Sequence, residues 1–410
     1  MIRRVINALD VARRMVRAID ERASFDAANG SRTESADGLL RGKVVAETAM
    51  FLLCLQPILN LDERIRERVE VLANLLIPLA RNSDVLAAIC LDPGLAGDHA
   101  VAHAILSRLG FPDTDVDELL SVSLSIAPDF GPERLPHRVL EQAWLARVWG
   151  VFRPPTRRES TLVASSMLGR PLDALGATRL DIYAFTHALM YASDLGTRRI
   201  ATTRSKAAIA ADADAALAQS LDSNDFDLTA EVIMTWPMLG SRWSATATFA
   251  FGIIAEVEDS VGFLPGLTFD STRYHAHTGD DRSRFALGTS YHTAYVMGYL
   301  CAVALREGCA PPAAVPPARR SRGAGAALVR LVTSESPASC WEDPINALAP
   351  RQQDAVASLL LTILFRRARI RGDLALVRHA LEIALAFNLI DGPAPRQAAA
   401  LLRRSTALQL

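Results

Sequence analysis

Two stretches of the chain, "RLDIYAFTHALMYASDLGTRR" (179–199) and "ALGTSYHTAYVMGYLCAVAL" (286–305), are apolar on every side when wound as a helix. A helix with no wet face must be enclosed by other helices, so the chain has to supply a surrounding layer. It does. "LDERIRERVEVLANLLIPLARN" (61–82), "DVDELLSVSLSIA" (115–127), "RVLEQAWLARVWGVF" (138–152) and "QQDAVASLLLTILFRRARI" (352–370) repeat apolar residues at three- and four-residue spacing. Stop signals separate such segments: "DPGLAGD", "GFPDTD", "DFGPERLP". The nearest approach to strand alternation, "ATATFAFGIIAEVE" (245–258), reads as helix. The expected fold is all-α, a multi-helical α/α toroid-like or α-solenoid-like array of helix pairs. The lack of a self-similar motif of the tetratricopeptide or ankyrin kind weighs against the solenoid.

Two joints are visible. "FRPPTRRES" (152–160) and the Pro/Ala/Arg/Gly segment "CAPPAAVPPARRSRGAGAA" (309–327) divide the sequence. The expected blocks are 1–152, a central 160–308 carrying the His/Asp motifs, a linker or surface loop at 309–327, and 328–410. Half of the 410 residues are hydrophobic, which excludes wholesale disorder, and a net charge of −1 removes the electrostatic case for a nucleic-acid partner. Lys43 and Lys206 are the only lysines among 44 basic residues, a bias that a GC-rich genome explains. Five scattered cysteines without a C-x-x-C pair suggest reduced thiols and a cytoplasmic location. "MIRRVINALDVARRMVRAIDER" is broken by charge too early for a secretion signal. The longest apolar run, "VVAETAMFLLCLQPILNL" (44–61), contains Glu47 and falls short of the ~20 residues that span a bilayer, so no membrane partner is expected.

The chemistry concentrates in the two apolar helices. With 100° per residue and His187 at zero, Tyr191 falls near 40°, Asp194 near 340° and Tyr183 near 320°, about one stripe. An unpartnered carboxylate in such a place costs several kcal/mol, so a partner or a ligand is required. The second helix repeats the pattern: His292, Tyr295 and Tyr299 share a face at i, i+3 and i+7, and Gly288 and Gly298 admit a close neighbour. Two stripes of the same chemistry suggest one shared cavity, with a hydrogen-bond network that only fixes packing as the alternative.

Other candidates are weaker. Glu258 and Asp259 stand where "EVEDSVGFLPG" turns from helix to loop, able to bind metal or move protons, or simply solvated. "YHAHTGDD" offers His275, His277, Asp280 and Asp281, without a zinc spacing. His99 and His103 have the i, i+4 spacing of a metal pair, but helical geometry turns them away from the apolar side, so a polar face is expected. His137 and Glu141 share that spacing near a helix start, where exposure is expected. There is no P-loop, no G-x-G-x-x-G opening a helix and no G-x-S-x-G elbow.

The segments "THALMYASDLG" (186–196) and "SYHTAYVMGYLCA" (290–302) resemble an uncharacterised bacterial all-helical family that pairs T-H-x(5)-(S/T)-D-x-G with Y-H-T-x-Y-V-M-G. "EDSVGFLP" (258–265) and "LPHRVLE" (135–141) fit it as well, giving a resemblance over roughly 40–400. It groups His137, Glu141, His187, Asp194, Asp259 and His292, and its occurrence in biosynthetic gene sets implies tailoring of a natural product. The first expectation is therefore an enzyme acting on a small molecule or peptide. In it, His187, Asp194 and His292 ligate iron or zinc, or act as acid and base with Asp259, Tyr191 and Tyr295. The second is a helical binding module for a peptide or carrier protein, its His/Asp/Tyr stripes purely structural.

Overall fold

A computed structural model describes residues 1–28, 36–126, 132–150, 159–319, 323–333 and 339–407. Every regular element among them is helical, so the protein is all-α. The chain forms two compact units: 1–163 with 268–306, and 164–267 with 307–410. Each is discontinuous in sequence. The stretch 160–308 is shared between them, because residues 268–306 close the first unit. Most of the 152–160 joint lies outside the described residues, as do 320–322 of the 309–327 segment.

In the first unit, the long helix Gly279–Ala304 packs along Ile2–Ala28 and against Ala36–Leu55. Helices Glu63–Ala80, Val101–Arg108 and Pro136–Trp149 build outward from these. Gly298 explains the closeness of the central packing: a Cβ there would lie 2.6 Å from the Phe51 ring and 2.7 Å from the Ala8 methyl. Gly288, by contrast, faces open space. One segment, Leu40–Leu61, is long and apolar enough to cross a membrane by length and composition, longer than the expected 44–61 run because the helix begins upstream. Half of it is buried inside the unit.

The second unit is centred on Lys206–Asp222, whose many alanines let Phe226–Ile233, Ala245–Val261 and Ala357–Arg371 approach it. Ala357–Arg371 in turn carries Ala324–Thr333 and Leu374–Ala386. The "QQDAVASLLLTILFRRARI" segment is two helices, broken at Val356 (φ −103°, ψ 9°). Local signals set the ends. Thr178 and Asp181 form a reciprocal capping box, with Asp181 N donating to Thr178 Oγ1 at 3.2 Å and Thr178 N to Asp181 Oδ2 at 2.8 Å. Asp225, Ser244 and Asp373 cap their helices one-sidedly, each side chain accepting from a first-turn backbone N–H. Gly262 and Gly372 stop their helices in the left-handed conformation that glycine adopts at little cost.

Candidate functional site

In the second unit, the helix Arg179–Ala192 lies against Phe226–Ile233. Arg179 ties the two helix starts together. Its Nε donates to Asp225 Oδ2 at 2.7 Å, and its Nη2 lies 3.4 Å from Asp227 Oδ2. Burial works against the guanidinium charge, but Asp225, Asp227 and Glu231 together hold its pKa above the ordinary value.

One turn beyond Asp227, Glu231 projects from a helix whose neighbouring residues are buried, and its side chain is only 4% exposed. The Thr186 hydroxyl donates to Glu231 Oε2 at 2.6 Å, and His187 Nδ1 stands 3.6 Å from the same oxygen. His187 Nδ1 is also 3.1 Å from the Tyr183 carbonyl. A carbonyl only accepts, so Nδ1 carries a hydrogen, and in the neutral imidazole Nε2 then holds the lone pair. The Tyr183 ring stacks on the imidazole at 3.6 Å between centroids, and Tyr191 meets it edge-on at 6.1 Å. The expected grouping of His187 with Tyr183 and Tyr191 is therefore seen.

Asp194 is placed differently from the expected stripe. The helix ends at Ala192, and Asp194 (φ 50°), Leu195 (φ 53°) and Gly196 (φ 84°) follow in left-handed conformation. The 100° step cannot be carried past that point. Asp194 Oδ2 accepts from the Thr197 hydroxyl at 2.9 Å, within the turn. Asp259 is exposed on the last turn of Ala245–Val261, whereas its neighbour Glu258 is buried. Both residues thus sit in the last turn, just ahead of the Gly262 cap where the helix gives way to the loop.

His292 belongs to the first unit and His187 to the second, and each has a carboxylate partner inside its own unit. His292 Nδ1 is 3.1 Å from Glu47 Oε1, to which Lys43 Nζ also lies at 3.6 Å. Tyr299 donates its hydroxyl to the Glu47 carbonyl at 3.1 Å. Tyr295 and Thr48 share a 3.0 Å bond, and Thr48 already donates to Val44 O, so the tyrosine is the donor. The face of His292, Tyr295 and Tyr299 is thus directed at one helix, Ala36–Leu55. Burial pushes both tyrosine pKa values up, Thr48 opposing the rise at Tyr295, so both stay protonated donors.

The remaining histidines part from expectation. His103 is fully buried, where a polar face was expected. A break at Ala100 separates Ala96–His99 from Val101–Arg108, which invalidates a single helical wheel, and His99 alone is exposed. His103 accepts from Arg81 Nε at 3.2 Å and meets Asp117 at 2.9 Å, a carboxylate that also takes the Trp149 indole. His137 is buried rather than exposed, and Glu141 pairs with Arg138 at 2.7 Å. His275 is exposed and Asp281 pairs with Arg284 at 2.9 Å, while the carbonyls of His275 and His277 accept from Arg282.

Glu231 and Glu47 were not among the sequence-level candidates. A signal existed for both: each is a lone acid within an apolar run, "LTAEVIMTW" and "VVAETAMFLL".

Fold and site together define an all-helical protein in which each of two units pairs an imidazole with a carboxylate. The chain belongs to the family described as a domain of unknown function, DUF6895, whose family model matches residues 8–302. The match begins earlier than the 40–400 resemblance and ends before the C-terminal helices, and it includes every candidate of the two stripes. No curated protein and no solved structure matches the chain.

Proposed function

We propose that the protein is an enzyme that modifies a small molecule by general acid–base catalysis, with His187 as the proton-transferring group and Glu231 as its orienting carboxylate. The observation that carries this reading is the 4%-exposed Glu231 carboxylate 3.6 Å from the protonated nitrogen of His187. A carboxylate there stabilises the imidazolium formed when Nε2 takes a proton, as the third member of a catalytic triad does. Thr186 fixes the carboxylate, and the Tyr183 carbonyl and ring fix the imidazole. His292 and Glu47 form a second pair of the same kind. The resemblance to a family of biosynthetic gene sets supports a natural product as the substrate class.

A metal-assisted version rests on a separate observation. Asp227 and Glu231 stand at i, i+4 with carboxylate oxygens within 4.8 Å of each other. These two carboxylates, with the His187 imidazole 3.6 Å from Glu231, offer donor types that iron or zinc takes, and the metal would then supply Lewis-acid polarisation of the substrate.

The test is substrate profiling by mass spectrometry, comparing purified wild type with His187→Ala and Glu231→Gln on a small-molecule library. The expected result is a mass change produced by wild type and reduced at least about 100-fold by either variant. No turnover by wild type, or turnover retained by both variants, would overturn the reading. Metal content below about 0.1 equivalent, with melting unchanged by added iron or zinc, would remove the metal version alone. The binding-module alternative draws support from the internal partners of both histidines. It predicts no turnover and a loss of several degrees in melting temperature for both variants.

A further inference from the structure

The second unit contains a cavity of about 350 Å³ between the 170–178 loop and the C-terminal helices, in the size range of small-ligand sites. Its loop wall is held from several sides. The buried Arg366 donates to the carbonyls of Ala174 and Ala177, both at 3.0 Å. Gln397 accepts from Leu175 N at 3.2 Å and donates to Leu172 O at 3.4 Å, while Arg369 donates to Leu175 O at 3.3 Å. The wall is therefore preformed, which limits the ordering a ligand would have to impose.

Leu172, Leu175 and Leu401 make one part of the lining apolar, and Arg369 and Arg404 bring two guanidinium groups to another. Asp173 is the single carboxylate among the lining residues. Its Oδ1 is already engaged by the amides of Leu175 and Gly176 at 3.0 and 2.8 Å. Neither Arg369 nor Arg404 forms an ion pair among the described residues. Burial, and next the neighbouring charge of Arg369, lower the pKa of Arg366, with Asp173 and Asp222 opposing the shift.

We propose that this cavity binds a small organic anion, a carboxylate or phosphate monoester with a short apolar body, its head on Arg369 and Arg404 and its body on the leucines. A planar guanidinium donates two parallel hydrogen bonds to a pair of oxygens on either anion, and the leucines supply an apolar wall. The site shares no residue with the His187–Glu231 pair, and Arg369, Gln397 and Arg404 lie beyond the family match. Its failure would leave the acid–base reading untouched.

The test is calorimetric titration of the full chain at low salt with hexanoate and with hexyl phosphate, using hexan-1-ol and hexylamine as controls. Saturable binding of at least one anion, absent with both controls and weakened by added salt, is the expected result. The preferred anion identifies the head group. Arg404→Gln, at an exposed position, should weaken binding about tenfold with unchanged melting. Leu401→Trp should abolish binding by filling the cavity while the far-ultraviolet circular dichroism stays helical. No saturable heat with either anion, hexan-1-ol binding as tightly as hexanoate, or unchanged binding in both Arg404→Gln and Arg369→Gln would each overturn the proposal.

Discussion

Gly298 and Gly288 show how differently two glycines of one helix can matter. The Phe51 ring that a Gly298 Cβ would strike is itself fully buried, stacked on Tyr295 at 5.9 Å and tilted against Tyr299 at 5.3 Å between centroids. It has nowhere to move. Gly298→Ala should cost about 1–3 kcal/mol in chemical denaturation, by overpacking. Gly288→Ala, at an exposed helical position with no heavy atom within 4 Å, should be neutral or stabilising by up to about 1 kcal/mol. The close approach that both glycines permit in principle is realised at one of them, because only the far half of Gly279–Ala304 is fully enclosed. A similar lesson applies to Asp194. Its residue type and spacing read as part of a stripe, but the stripe lasts only as long as the helix does.

At the scale of elements, the network of Arg81, His103, Asp117 and Trp149 links three helices and the residue that ends a fourth, Glu63–Ala80. Burial lowers the His103 pKa, outweighing the raising effect of Asp117. The unfolded chain takes up a proton near the ordinary histidine value of 6.5, and the folded state only at lower pH. Stability from this group is therefore fully present above that value and is lost as pH falls below it towards the folded pKa. Melting measured at pH 7.5 and pH 5.5 should show a larger acid-induced drop in wild type than in His103→Gln. At the higher pH the variant should be less stable by about 1–3 kcal/mol, because it leaves buried partners unsatisfied. An equal drop in both proteins would show that other groups set the acid sensitivity.

At the scale of the whole molecule, the family match and the two units do not end at the same places. A chain cut after Arg306 keeps both segments of the first unit but strips the second of residues 307–410. Lys206–Asp222 would then lose Ala357–Arg371, its partner on one side, together with the Arg367–Asp222 ion pair (Arg367 Nε to Asp222 Oδ2, 2.9 Å). Lys206–Asp222 buries Ile209, Leu217, Leu221 and several alanines, and part of this apolar surface would lose its cover. The truncated protein should bind a hydrophobic dye and lose near-ultraviolet circular dichroism from Trp236, buried in the second unit, while helical signal persists. Full near-ultraviolet signal without dye binding would show instead that residues 164–267 pack without the C-terminal helices.

Periodicity alone determined that the chain is all-helical and that the stretches around His187 and His292 are largely enclosed, because a 3.6-residue repeat places side chains around a helix with no knowledge of its neighbours. It did not single out Lys206–Asp222 or Ala357–Arg371, both extensively buried in the second unit. It also placed His187 with its tyrosines and His292 with Tyr295 and Tyr299, since those are relations within one helix. The tertiary structure decided what each histidine faces. Glu231 and Glu47 stand 44 and 245 residues away from their imidazoles, a relation that helix packing creates and spacing cannot encode. It also decided where the helix before Asp194 ends, and that residues 268–306 complete the first unit. These outcomes depend on which apolar faces bury one another, a competition settled across the whole chain.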